Sequence, residues 1–297
     1  GLVKQRLILT HFGPAGADPV FAAFAIPDLI YGTLILGSLL TAFMPVFIEL
    51  RQKNQQEDAW RLSRAVLKAL SWSFLGFGLL LLLFAGPIVP LLVGRNYDLN
   101  NQHQIAFLLR VLSMNMLFFA TANVFAGMLQ AYKQFVAVSL APLIYNVSII
   151  FGLEYLSPRY GVAGVAYGAV IGAFLHFCIH LIAAWKICRR PGPAFAWCPQ
   201  GVRRVWALFF PATVGQSGAG IETVVKVAVA TRLGPGQLAI FRSANDIQDA
   251  PINISGLSMA TVAFPVFIEL LNQGKKEEFI AHFSRIVRQI LFLIIPL

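Results

Sequence analysis

The six residues Pro45–Leu50, Pro-Val-Phe-Ile-Glu-Leu, recur unchanged as Pro265–Leu270, and each copy closes a long apolar stretch and opens a short charged one. Ile26-Pro27 ahead of the first copy answers Ala250-Pro251 ahead of the second, and Ser63-Arg64 answers Ser284-Arg285 downstream. The chain therefore contains an internal repeat, and two related helical bundles in tandem are expected. Repeats of this size in an apolar chain point to a membrane transporter, because two similar lobes can rock about a site held between them.

Composition leads to the same class. With 58% hydrophobic and 12% charged residues and a mean hydropathy of +0.71, the chain has too little polar material to cover a soluble domain of its length. The expected fold is all-α, a polytopic transmembrane bundle. Windows of about 20 residues suffice to cross roughly 30 Å of hydrocarbon as helix. Such windows fall near 18–50, 60–93, 104–132, 134–156, 160–188, 204–232 and 236–270. Lys4 to Phe12 reads as the tail of a further helix, and the apolar run from Ile290 to Leu297 as the inside of another, so a piece of a longer chain is expected.

The formal net charge of +10 sorts by side. If the first helix begins in the cytoplasm, the even-to-odd loops carry Arg51, Lys53, Arg61, Arg64, Lys68, Lys133, Lys186, Arg189, Arg190, Arg203, Arg204, Lys275, Lys276, Arg285 and Arg288. The opposite loops carry only Arg95, Arg159 and Arg232. This is the positive-inside pattern, which sets the basic loops in the cytoplasm of a multi-pass inner-membrane protein. Anionic lipid headgroups are sufficient partners for these charges. No nucleic-acid partner is expected, since no aromatic-basic platform gathers them on one face.

The segment 189–204, with its prolines, glycines and arginines, is the clearest boundary. It separates an amino-terminal lobe (1–188, the end of helix one to helix six) from the start of a carboxy-terminal lobe (205–297, helices seven, eight and part of nine). Shorter breaks at 13–18, 94–98, 157–161 and 234–236 read as external turns, with Asp18-Pro19 as a helix N-cap and first-turn proline. Cys178, Cys188 and Cys198 have no Cys-x-x-Cys spacing and read as structural or incidental. The Asn146 and Asn253 glycosylation triplets lie inside apolar segments and are discarded.

Ionisable residues within apolar segments tend to face a water-filled cavity or each other. Glu222 and Lys226 stand four apart on helix seven in the favourable order for an ion pair. Arg242 lies one turn before Asp246, with Asp249 three residues beyond. His176 and His180 have an i, i+4 spacing that can bind zinc, but no third ligand is evident and a polar patch is the favoured reading. Asn115 and Asn123 read as interhelical hydrogen bonders, Arg110 as snorkelling outward, and Glu154 as hydrated. Gly215, Gly218 and Gly220 serve packing with some bending, while Pro27, Pro142, Pro211 and Pro251 act as hinges or as static kinks. No phosphate-cradling glycine loop, nucleophile elbow or ligand triad is present, so neither enzymatic chemistry nor a cofactor is expected.

Residues 11–18 (His-Phe-Gly-Pro-Ala-Gly-Ala-Asp), with Val20–Leu29 and Gly37–Phe47, resemble the opening signature of the lipid II flippase (MurJ/MviN) family. Asn245–Pro251 with Gly256–Pro265 resembles the matching motif on that family's eighth helix. The resemblance implies the multidrug/oligosaccharidyl-lipid/polysaccharide exporter fold, two six-helix lobes in a V plus two further helices, alternately open to either side. It also implies flipping of the undecaprenyl-pyrophosphate-linked peptidoglycan precursor for cell-wall synthesis, by a monomer that can use a coupling ion. The family's cavity holds pyrophosphate with arginines, whose guanidinium fork suits it. Here Lys4 stands at one such position, Tyr31 and Gly32 replace the arginine pair after Pro27-Asp28-Leu29, and Asn245-Asp246 replace an Asp-Arg pair, while Asp18 and the acid at Asp249 are kept.

Lys4, Lys226 and Arg242 are therefore expected to form a cationic wall oriented by Asp246 and Asp249; mutual neutralisation between helices seven and eight is the equal alternative. The functional expectation is lipid II flipping by alternating access. Export of polysaccharide units or drugs by the same fold, or a transport-inactive cell-wall scaffold, are the alternatives.

Overall fold

A computed structural model describes residues 2–33, 39–93, 97–187 and 199–295. Among these residues there is no strand. The chain runs α1 (Leu2–Ile30), α2 (Leu40–Gln52), α3 (Gln56–Val93), α4 (Leu99–Leu112), α5 (Asn115–Ala131), α6 (Phe135–Phe151), α7 (Ser157–Tyr160), α8 (Ala163–Ile187), α9 (Pro199–Ala230), α10 (Gln237–Pro251), α11 (Ser258–Asn272) and α12 (Lys276–Ile294). Of the linker at 189–204, only its last residues are described, and they open α9 as helix; Cys188 and Cys198 lie outside the described residues.

The repeat survives as geometry. After the first Pro-Val-Phe-Ile-Glu-Leu copy, Asn54 takes φ 59°, and 220 positions later Gly274 takes φ 73°. The Gln55 amide donates to the Leu50 carbonyl at 2.9 Å, and the Lys275 amide donates to Leu270 at 3.0 Å. Both helices thus end in the same left-handed cap with a six-to-one bond. The α2–α3 and α11–α12 turns are equivalent residue for residue.

Among the described residues, four segments are long and apolar enough to cross a membrane: Gln56–Val93, Leu99–Ala131, Phe135–Tyr160 and Ala163–Trp185. Helix α3, at 38 residues, is roughly 57 Å long at 1.5 Å per residue, so one end projects beyond the hydrocarbon. Its outer face exposes Trp72, Leu75, Leu79, Leu80 and Leu83, as lipid contact requires. The other three expected windows are interrupted or polar. Past Pro27 and Pro251, where a helical N–H is lost, the chain loosens into π-turns at 31–33 and Ile252–Leu257. The 104–132 window breaks at Ser113-Met114, between α4 and α5.

The expected external turn at 13–18 reduces to one residue. Gly13, at φ 67° and ψ 171°, kinks α1, and Pro14 falls in the first turn after the kink, where a missing N–H costs nothing. Asp18 is consequently inside a helix and not the N-cap of its own; its side chain is released to cap another.

Helices α6 and α8 meet through glycine. A methyl group on Gly168 would lie 2.6 Å from the Ser148 carbonyl oxygen and 2.8 Å from Gly152 Cα, and one on Gly172 would lie 2.9 Å from the Tyr145 carbonyl oxygen. Small residues at this spacing let backbones touch where water supplies no driving force.

Candidate functional site

Helices α1, α2, α5, α6 and α8 on one side and α9–α11 on the other line a polar cleft. Its narrow part, about 280 Å³, is lined by Asp28 near the end of α1, Gly32 and Thr33 in the turn after it, Gln216, Gly220 and Thr223 of α9, and Arg242, Asn245, Asp246 and Asp249 of α10. Through Gly32 and Gln216 it adjoins a wider region of about 650 Å³ bearing Tyr31, Asn123, Gln130, Ser139, His176, His180 and Thr261. Asp28 and Tyr31 also reach a pocket of about 360 Å³ against Asn115, Phe119, Tyr145 and His176. Gly220 lets α9 pass close to the end of α1 and the turn after it: a Cβ there would lie 2.5 Å from Thr33 Oγ1 and 3.2 Å from Leu29 Cγ.

Three layers of polar contacts join the two sides. In the middle, Arg242 donates to Asp28 at 2.7 Å. At the basic end, Lys133 pairs with Glu269 at 2.8 Å, Asn272 donates to Gln52 at 3.0 Å, and Arg204 pairs with Glu49 at 2.5 Å. Hydrogen bonding to Lys53, then Arg204, holds the Glu49 carboxyl below its ordinary value. At the opposite end, fully buried Asp18 accepts from the Gly236 amide at 2.6 Å and the Ala239 amide at 2.8 Å. It thereby caps α10, where unpaired N–H groups and the helix dipole favour an anion. Tyr97 hydrogen-bonds the same carboxylate, and burial, with the Asp18 charge second, pushes its phenol up to about 12.

The structure gathers Lys4, Asp28, Arg242, Asn245, Asp246 and Asp249 in one place and sets Tyr31 beside them. Lys4 lies within electrostatic reach of Asp28, Asp246 and Arg242 and 6.0 Å above the Phe24 ring. Asn245 donates to Asp249 at 2.7 Å. Two cations thus face three carboxylates, Asp28, Asp246 and Asp249. Glu222 and Lys226 do not join this group: they pair with each other on α9 at 2.6 Å, largely exposed, with the Lys226 ammonium 5.8 Å over the Phe241 ring of α10. Arg242 meets Asp28 across the cleft, not Asp246 on its own helix. Asn123 bonds the Phe119 carbonyl of its own helix at 2.8 Å as well as Tyr31. Arg110 bonds the Leu82 carbonyl.

Sequence reasoning missed Tyr97, Gln52 and Asn272, and read Lys133 only as a basic-loop charge without its partner Glu269. Gln52 and Asn272 were within reach of the repeat, since they occupy equivalent positions in it.

Membrane-length apolar helices wrapped around an ion-paired cleft, with a duplicated helix–turn–helix on its two sides, define a polytopic membrane transporter fold. The family model for the lipid II flippase MurJ matches residues 11–297. The chain belongs to that family. It is 24% identical over 273 residues to the lipid II flippase MurJ of Burkholderia cenocepacia, covering 89% of this chain and 53% of that protein. It is 25% identical over 288 residues to a probable lipid II flippase MurJ of Buchnera aphidicola subsp. Acyrthosiphon pisum, covering 94% and 55%. The chain spans about half the length of the curated relatives it matches. A solved structure titled lipid II flippase MurJ, inward closed conformation, shares the fold with a TM-score of 0.73 at 22% identity, covering 98% of this chain and 60% of that one.

Proposed function

We propose that the protein to which this chain belongs flips lipid II across the bacterial inner membrane by alternating access, with the lobes 1–188 and 205–297 rocking about the linker 189–204. The basic loops face the cytoplasm, and the molecule works as a monomer. Its substrate is the anionic undecaprenyl-pyrophosphate-linked sugar, and no chemical step is needed.

The observation that carries this reading is the Arg242–Asp28 ion pair, which spans the cleft at 2.7 Å in a chain of the flippase family. An arginine that can exchange a carboxylate for a pyrophosphate links substrate binding to parting of the two sides. Lys4 is the second phosphate contact. Asp246 and Asp249 orient the cations, Tyr31 and Asn245 offer neutral hydrogen bonds, and Asp18 holds α10 in place. Glu222 and Lys226 sit at the rim.

The test is complementation by the full-length parent gene in a bacterium depleted of its own lipid II flippase, with membrane insertion checked by blot. Growth is expected with the intact gene and loss of growth with Arg242→Gln. Well-inserted protein that never restores growth would overturn the reading. One observation favours export of a cationic amphiphile instead, namely the three carboxylates that line the cleft against Arg242, with Lys4 only within electrostatic reach. Binding of inorganic pyrophosphate separates the two, since a cation exporter ignores it.

A further inference from the structure

Among the described residues, three hydrogen-bond acceptors are buried without donors in the wall of the cavity. His180 Nδ1 lies 2.9 Å from the His176 carbonyl oxygen. A carbonyl only accepts, so Nδ1 carries the hydrogen and Nε2 keeps the lone pair; that Nε2 is buried and unpartnered. His176 makes a backbone hydrogen bond with Ala141 while its Nδ1 is buried and unpartnered, so the bond uses Nε2 and the second lone pair is on Nδ1. The third orphan is Asn115 Oδ1. His176, His180 and Asn115 are 5%, 1% and 3% exposed. The two imidazole rings lie 4.6 Å apart.

A site made only of acceptors calls for a donor. Among the described residues no group of three or more His, Cys, Asp or Glu could hold a metal, and Cys178, two residues from each histidine, points to another side of the helix. The simplest ligand that converts one of these acceptors into a donor is a proton, which gives the adjoining lone pairs an N–H to share.

The surrounding charges say when that proton is held. Helix α5, packed on the pair, has no titratable residue. Helix α6 contributes Tyr145, and α1 with its following turn contributes Asp28 and Tyr31; all three share the pocket of about 360 Å³ with His176. His103, Glu154, Tyr155, Arg159 and Tyr160 on the remaining neighbours are exposed, Tyr167 lies more than two turns earlier on α8 and faces Tyr160, and Arg110 is held by the Leu82 carbonyl. Among the described residues the one carboxylate facing the pocket is Asp28; in this structure Arg242 from the other side of the cleft pairs with it, while Lys4 acts on it from a distance without an ion pair.

We propose that His176 and His180 form a proton-binding site, empty while Arg242 pairs with Asp28 and filled when the two sides part and Asp28 loses that ion-pair partner. The proton is delivered by hydronium in the cavity, which gives up an O–H bond and leaves water as an N–H bond forms at His180 Nε2 or His176 Nδ1, and it returns to water as hydronium when Arg242 closes on Asp28 again. Proton uptake and release are thereby tied to the opening of the cleft, which makes the proton the coupling ion. The inference rests on the two-lobed transport reading for that motion alone.

The test is an NMR titration of ring-15N histidine in the full-length protein in lipid nanodiscs, with His180→Gln assigning the signals. Arg242→Gln is expected to raise the proton affinity of the pair about tenfold, the size for one carboxylate freed of its ion-pair partner in a shared low-dielectric cavity. The Asp28→Asn/Arg242→Gln double variant is expected to return it to the starting value. Identical titration in wild type and Arg242→Gln, or neutral rings throughout in all variants, which would mean that water alone satisfies the acceptors, overturns the proposal. Should Arg242→Gln fail to fold, Asp28→Asn alone must not strengthen proton binding; if it does, the proposal also falls. None of these readouts requires lipid II to move, so this inference and the flippase reading fail separately.

Discussion

Gly168→Ala tests whether backbone contact between α6 and α8 holds the first half together. The added methyl carbon would lie 2.6 Å from the Ser148 carbonyl oxygen and 2.8 Å from Gly152 Cα, about 0.8 and 0.6 Å short of an ordinary 3.4 Å contact. Both obstacles are backbone, so no rotamer change relieves them; α6 and α8 must separate along a face that also includes Gly164 and Gly172. Overpacking of this kind costs about 1–3 kcal/mol, and alanine's better helix propensity returns up to ~1 kcal/mol. A net loss of about 1–2 kcal/mol is expected. Gly76→Ala on α3, where a methyl meets nothing within 4 Å, is the control and should be neutral or slightly stabilising. Reversible denaturation of the full-length protein in mixed micelles compares the two. Equal stability of both variants would refute the claim that α6 and α8 pack by glycine.

Asp18→Asn keeps an acceptor at the α10 N-terminus but removes its charge, so a loss of about 1–2 kcal/mol is expected, visible as faster amide exchange at Gly236 and Ala239. Glu49, with its carboxyl held below the ordinary value of 4.5, contributes stability that is present above that value and lost as pH falls through its lowered one. The stability difference between wild type and Glu49→Gln should therefore be seen at neutral pH and close in acid. Lys226→Gln removes an exposed pair that contributes little and should leave complementation intact, in contrast to Arg242→Gln; equal loss in both would return Lys226 to the substrate wall.

The sequence makes the fold legible because composition and repetition are properties of whole segments. The duplicated hexapeptide locates α2 and α11, and its extension to Asn54 and Gly274 shows that the repeat specifies even the cap. Partner choice is less legible. Arg242 stands one turn before Asp246, and helical spacing makes them partners, yet the guanidinium reaches Asp28, 214 positions away. Spacing rules govern one helix, and a cleft is made where two meet. Asp18 shows the same limit. Asp-Pro has the form of an N-cap, but the kink at Gly13 starts the helix earlier and frees the carboxylate for α10. The histidine pair is visible as i, i+4, whereas its missing donors depend on α5 and α6.

The two ends of the cleft are closed by different physics, and that difference predicts which opens first. At the basic end the ion pairs are half in water: Lys133 and Glu269 are 51% and 26% exposed, and Arg204 and Glu49 are 58% and 22% exposed. Pairs of this kind are each worth about 0–1 kcal/mol and are screened by salt. At the opposite end Asp18 is 0% exposed and takes two backbone amides at the head of α10. Hydrogen bonds to a charged group are worth about 1.5–3 kcal/mol, and breaking them in place would strand a buried carboxylate. Without substrate, the basic end should therefore open more readily, and added salt should favour its opening. Single cysteines at Gln52 and at Gln237, probed with a membrane-impermeant maleimide in permeabilised vesicles, report the two ends. Faster labelling at Gln52, rising with salt, is expected. Faster labelling at Gln237, or no salt response at Gln52, would show that the duplicated turn, not the Asp18 cap, is the stronger closure.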